Sequence, residues 1–175
     1  MAQIAVCSAI LCVSAFIVIP IPIVMIPFTL QLLAVVLTAL ILKPFYALAA
    51  QLIYTFLGII GLPVFSGGQG GLGVIFSPTG GFIIGFVFAS FIISFIKGKN
   101  ENILRYIFVT TLVGIPIVYG LGIGFYMMYT GADILSAIVS IASAFIVADI
   151  IKCICASFIA IALRRALKRA NIKYN

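Results

Sequence analysis

ILSAIVSIASAFIVADIIKCICASFIAIAL, residues 134–163, is one apolar run broken by two charges, Asp149 and Lys152. A run of this length is long enough to cross a bilayer as a helix, whose hydrocarbon core is about 30 Å thick. An ionisable side chain near the middle of such a span costs about 2.5–3.5 kcal/mol on insertion scales. Two of them one turn apart mark a substrate or ion site by default. From Lys152 to Arg164 is about 18 Å of helix. That depth puts the pair near the midplane or in the outer half, within reach of a solute arriving from outside.

The rest of the chain fits the same medium. It is 65% hydrophobic and 7% charged, which leaves no polar exterior for a soluble globule. From Pro44 to Ile96 there is no charge at all. Six helical segments are expected, in one transmembrane domain covering 1–175: about 4–19, 28–42, 44–61, 80–96, 104–129 and 134–163. The first stops at a proline cluster, Pro20, Pro22 and Pro27, and the third begins with Pro44, which suits a first helical turn. The first two are short for a span, so the apolar segment between them is expected to dip into the membrane or pack across the bundle mouth.

Topology follows from the basic residues. With the N-terminus in the cytoplasm, Lys43, Lys97, Lys99, Arg105, Arg164, Arg165, Lys168, Arg169 and Lys173 all fall on the cytoplasmic side. Lys152 is the only other base, and the outer connections carry none. The expected arrangement is an all-α, multi-pass protein of the cell membrane with both termini cytoplasmic. The net charge of +7 is thus a topology signal rather than a nucleic-acid surface. The basic tail suits anionic headgroups, with an acidic partner as the alternative. No cleaved signal peptide is read at the start, where Met1, Ala2 and Gln3 supply no basic region.

Three further features bear on function. Asp149 and Lys152, at i and i+3, share a helix face. They form a polar clamp in which the carboxylate accepts N–H groups and the ammonium donates to an oxygen. The alternative is a pair that merely neutralises itself. The connection 62–79 is rich in glycine, with Gly67, Gly68, Gly70, Gly71 and Gly73 around Gln69, and Ser77-Pro78-Thr79-Gly80-Gly81 closes it. Its backbone can approach a ligand closely. Val64, Phe65, Leu72, Val74, Ile75 and Phe76 suit it to capping a cavity. It is not a nucleotide loop, because no G-x-x-x-x-G-K-[ST] pattern occurs. Ala5 and Ala9 have the spacing that lets another helix pack closely, and Ser8 and Cys12 repeat it alongside. Gln31, like Gln51, is costly in lipid and should face the interior. Tyr119, Tyr126 and Tyr129 are either interface anchors or pocket lining. The cysteines lack ligand or C-x-x-C spacing and there is no histidine, so they read as packing residues and neither a metal nor a cofactor is implied.

These pieces in this order resemble the BioY family, the biotin-binding S subunits of energy-coupling-factor (ECF) transporters. The resemblance rests on Ile26-Pro27-Phe28-Thr29-Leu30-Gln31, on Leu57-Gly58-Ile59-Ile60-Gly61-Leu62-Pro63-Val64-Phe65, on the Gly-Gly-x-Gly-Gly and Pro-Thr-Gly-Gly loop, and on Ala148-Asp149-Ile150-Ile151-Lys152. It implies a six-helix S-component bundle with biotin held near the outer face under the 62–79 loop. It also implies partners, a transmembrane coupling subunit and two cytoplasmic ATPases, with Ala5 and Ala9 at the coupling-subunit contact. Asp149 and Lys152 are then biotin contacts, and Gln69 offers the amide that some relatives supply as Asn, flanked by Gly68 and Gly70. Phe28, Gln31 and Tyr119 complete the expected binding set. Some relatives carry Tyr-Arg where this chain has Phe82-Ile83, so an arginine contact to the ligand is absent. The expected function is biotin binding and uptake without enzymatic activity. The alternative is a self-sufficient or proton-coupled carrier of another vitamin-like solute. An intramembrane enzyme is disfavoured by three acidic residues and no histidine.

Overall fold

A computed structural model of the chain describes residues 1–19, 28–98 and 101–170. The proline cluster at 20–27 and the bases Lys99 and Lys173 lie outside the described residues. The fold is all-α apart from one two-stranded ribbon. Its elements are α1 (Ala2–Ser14), β1 (Val18–Ile19), β2 (Phe28–Thr29), α2 (Gln31–Ile41), α3 (Pro44–Ile59), α4 (Leu72–Ile75), α5 (Gly80–Ile96), α6 (Ile103–Val109), α7 (Ile115–Thr130) and α8 (Ile134–Arg169).

The first two expected helices are trimmed at their facing ends. α1 stops at Ser14, and Val18 and Ile19 pair antiparallel with Thr29 and Phe28. The physical reason lies in the residues: Val18 and Ile19 are β-branched, and Ile19 precedes Pro20, which disfavours helical backbone at the residue before it. Phe28 is therefore on a strand and not in the first turn of a helix, and α2 begins at Gln31. The connection after α3 also has structure of its own, a 3₁₀ turn at Ser66–Gly68 and the short α4.

α2 is buried from Gln31 to Leu40 except at Leu33. A helix apolar on nearly all sides has to be central, and α2 packs against α1, α3, α5 and α8. α5 and α7 approach each other through glycine. A Cβ at Gly85 would lie 3.0 Å from the Val118 Cα, and one at Gly81 would lie 2.3 Å from the Leu121 carbonyl oxygen. Small residues replace the hydrophobic drive that helices lack in lipid. α6 and α7 form one rod joined by a widened π turn, Thr110–Gly114. Pro116 just beyond it has no N–H for the carbonyl four residues back, so regular α-helical bonding cannot continue there. Gly131, at φ 69°, ends α7, and Asp133 caps α8 by accepting from the Ser136 N–H at 3.2 Å. The Ser136 hydrogen bonds hold the Asp133 carboxyl below its ordinary range.

Two stretches are each long and apolar enough to cross a membrane, Ile103–Thr130 with mean hydropathy 2.0 and Ile134–Arg169 with 2.4. α1, α2, α3 and α5 are shorter apolar helices. The outer surface carries Phe45, Phe76, Phe95 and Leu104, each more than 70% exposed, an apolar coat suited to lipid.

Two bases expected at the water-facing end are turned inward instead. Lys97, 4% exposed, donates to the carbonyls of Ala39 at 2.7 Å and Leu40 at 3.0 Å, and to that of Leu42. Arg164, 8% exposed, donates to the Tyr106 hydroxyl. The last carbonyls of a helix have no partner within it and attract cations. Lys97 satisfies two of them for α2, those of Ala39 and Leu40, and the carbonyl of Leu42 just beyond. In the tail, Lys168 pairs with Glu101 at 2.7 Å.

Candidate ligand site

The α8 run that fixes the fold also supplies the floor of a cavity. Phe145, Asp149 and Lys152 stand at i−4, i and i+3 on one face of α8, and all three line it. Tyr119 reaches it from α7, Phe82, Ile83 and Phe86 from α5, and Gln31 and Leu32 from the first turn of α2. Phe28 and Thr29 come from β2, and Ser66, Val74 and Thr79 from the α3–α5 connection. The wall is thus mostly aromatic and aliphatic, with a few convergent polar groups, the usual composition of a small-molecule site.

The charged groups are ordered by one another. Lys152 Nζ lies 2.8 Å from Asp149 Oδ1, and the Tyr119 hydroxyl donates to Asp149 Oδ2 at 2.8 Å. The same ammonium sits 3.7 Å from the centre of the Phe28 ring, a cation–π contact. Phe28 in turn stacks on Phe145 with planes 13° apart. Asp149 and Lys152 are each 6% exposed and Tyr119 is 8% exposed. Pairing and hydrogen bonding make burial of the charges tolerable. They do not exhaust them. Each carboxylate oxygen uses one acceptor site, and the ammonium donates one N–H to Asp149 and keeps the others. The Gln31 side-chain amide donates to the Tyr54 hydroxyl, and both residues are buried.

The loop over the cavity is pinned. Phe65 is fully buried against Gly58, where an added Cβ would come within 2.1 Å of the ring, and meets Tyr54 edge-on at 5.7 Å. Gly67 N–H donates to the Ala15 carbonyl at 3.2 Å, and Gly71 N–H to that of Gly58 at 2.7 Å. Gly67, Gly68 and Gly71 all have φ between 72° and 97°, a region open to glycine.

This anchoring separates the expected site residues. Asp149, Lys152, Phe28, Gln31 and Tyr119 come together around the cavity. Gln69 is exposed, and Gly68, Gln69 and Gly70 are not among the cavity's lining residues. Gly70 has a packing role, since a Cβ there would lie 2.4 Å from the Leu62 carbonyl oxygen. Phe82 and Ile83, at the positions where some relatives carry Tyr-Arg, line the cavity, and so do Ser66, Thr79, Phe86 and Phe145, which the sequence does not mark as contacts. Helical spacing from Asp149 could have found Phe145; the others lie far from it in sequence. On α1, Ser8 is buried and donates to the Ala50 carbonyl at 3.0 Å, whereas Ala5 and Ala9 are exposed. Ala9 lines an open apolar groove with Val6, Ile10 and Val13.

Known proteins match over nearly the whole chain. The sequence model of the BioY family matches residues 1–169. The chain is 36% identical over 158 residues to the biotin transporter BioY of Thermotoga maritima, covering 90% of this chain and 91% of that one. It is 38% identical over 153 residues to the biotin transporter BioY2 of Lactococcus lactis, covering 86% and 83%. Among solved structures it resembles the crystal structure of the S-component for biotin from an ECF-type ABC transporter. The TM-score is 0.85 at 28% identity, over 94% of this chain and 89% of that one.

Proposed function

The chain belongs to the BioY family, and from that premise we propose that it is the biotin-binding subunit of an ECF-type transporter and serves biotin uptake across the membrane. The observation that carries this reading is the Asp149–Lys152–Tyr119 cluster in a largely apolar, aromatic cavity. Biotin presents a ureido edge with two N–H donors and a carbonyl, fused apolar rings and a carboxylate on a short chain. The Asp149 carboxylate suits the N–H groups and the Lys152 ammonium suits an oxygen. The Phe28 and Phe145 rings suit the apolar body.

The protein itself is a carrier component rather than a catalyst. In this reading ATP hydrolysis belongs to two cytoplasmic ATPase subunits, coupled through a transmembrane partner that packs on the exposed Ala5 and Ala9 face of α1. Six spans, with both termini in the cytoplasm of a multi-pass cell-membrane protein, accord with the one-sided distribution of Lys and Arg.

Calorimetry on the purified protein tests the reading. Biotin is expected to bind at one site per chain, and Asp149→Asn and Lys152→Ala to weaken it strongly. Normal binding by both variants would sink the site. Concentrative uptake by the protein reconstituted without an ATPase would favour the self-sufficient carrier instead.

A further inference from the structure

We propose that Ser66 is a ligand contact, the hydroxyl that receives the carboxylate end of biotin; this rests on the assignment of the cavity to biotin made above. The polar residues in the cavity wall differ in how they are occupied. Asp149, Lys152 and Tyr119 bond to one another. The Gln31 amide is engaged by Tyr54, and the Thr79 hydroxyl is 2.8 Å from that of Ser77. Thr29 Oγ1 accepts from the Gln31 N–H at 3.3 Å. Ser66 is the exception. It lines the cavity, its hydroxyl oxygen is shielded from water, and it has no hydrogen-bond partner among the described residues. A shielded hydroxyl without a partner costs free energy. In a ligand cavity the missing partner can be the ligand.

The backbone that carries this hydroxyl is held in place. Phe65 on one side is locked against Gly58 and Tyr54, and Gly67 on the other is tied to the Ala15 carbonyl. A donor fixed in this way loses little freedom on binding. Its chemistry complements the rest of the wall. The α8 cluster offers an acceptor and a cation, which suit the ureido edge. Ile83 offers the wall no polar group. Ser66 adds a donor from the α3–α4 connection, an element separate from α8, and an O–H to a carboxylate is a short, charge-assisted bond.

The test compares biotin with biotinol, its analogue with the carboxylate reduced to an alcohol, on wild type, Ser66→Ala, Ser66→Thr and Asp149→Asn. Ser66→Ala should weaken biotin about 10-fold and biotinol less than about 2-fold. Ser66→Thr, which keeps the hydroxyl, should stay within about 3-fold of wild type for biotin. Asp149→Asn should weaken both ligands alike. Equal losses for the two ligands in Ser66→Ala, or no loss for either, would overturn the assignment. A wild type that binds neither ligand refutes the biotin reading itself, and this contact with it. Unchanged thermal unfolding of Ser66→Ala separates a lost contact from a lost fold.

Discussion

Lys152 and Lys97 are the same residue type, almost equally buried at 6% and 4% exposure, and their hydrogen bonds go to different partners. Lys97 sits at the end of α5 remote from the cavity and gives its protons to Ala39, Leu40 and Leu42 at the end of α2. Its hydrogen bonding is spent on the protein's own backbone. Lys152 makes one bond to Asp149, leans on Phe28 and borders open space. Burial of a charge therefore does not by itself identify a site. Unspent hydrogen-bonding capacity beside a cavity is what makes Lys152 the proposed contact.

That contrast can be broken by substitution. The largest effect is expected at Asp149. Asp149→Ala removes the acceptor and strands a buried ammonium, a loss of about 3–5 kcal/mol for a broken buried pair. Biotin affinity measured by calorimetry should fall by more than about 100-fold. Lys152→Met keeps the length and removes the charge, and Tyr119 still serves Asp149; a fall of at least about 10-fold is expected. Gly58→Ala forces the Phe65 ring from its seat, so both thermal stability and biotin affinity should drop, the latter by about 10-fold as the loop carrying Ser66 shifts.

Lys97→Met should do the reverse of Lys152→Met. Leaving the α2 carbonyls unpaired costs about 1–3 kcal/mol, so the unfolding midpoint should fall by several degrees while biotin affinity stays within about 3-fold. A large affinity loss in Lys97→Met, with stability intact, would erase the distinction between the two lysines. The smallest effect is expected at Gln69. As an exposed side chain outside the cavity wall, its replacement by Ala should change affinity by less than about 2-fold. A large loss would mean that the loop folds inward when ligand binds.

Much of this was legible in the sequence, and for identifiable reasons. Charges within an apolar run stand out because lipid offers them no alternative, so residues 134–163 alone single out Asp149 and Lys152, and both line the cavity. The i, i+3 rule then put them on one face. What was not legible is whatever depends on the fold bringing distant segments together. Nothing local brings Phe28 over Lys152, or Tyr119 to Asp149. The glycines imply a close backbone approach to a ligand and the family resemblance adds Gln69, yet Phe65 anchors the loop so that Ser66 lines the cavity and Gln69 is exposed. The charge pattern marked Lys97 and Arg164 as bases at one end of the bundle. It carried no information on whether their long side chains would reach water or a helix terminus. The early stop of α1 was partly readable, since Val18 and Ile19 precede a proline.

Titration calorimetry of biotin into the purified protein, set beside Asp149→Asn and Lys97→Met, decides whether the α8 pair holds the ligand. Wild type should bind biotin at one site per chain, Lys97→Met should retain binding and Asp149→Asn should lose most of the affinity. Wild-type affinity in Asp149→Asn, or no biotin binding by a folded wild type, would contradict that assignment.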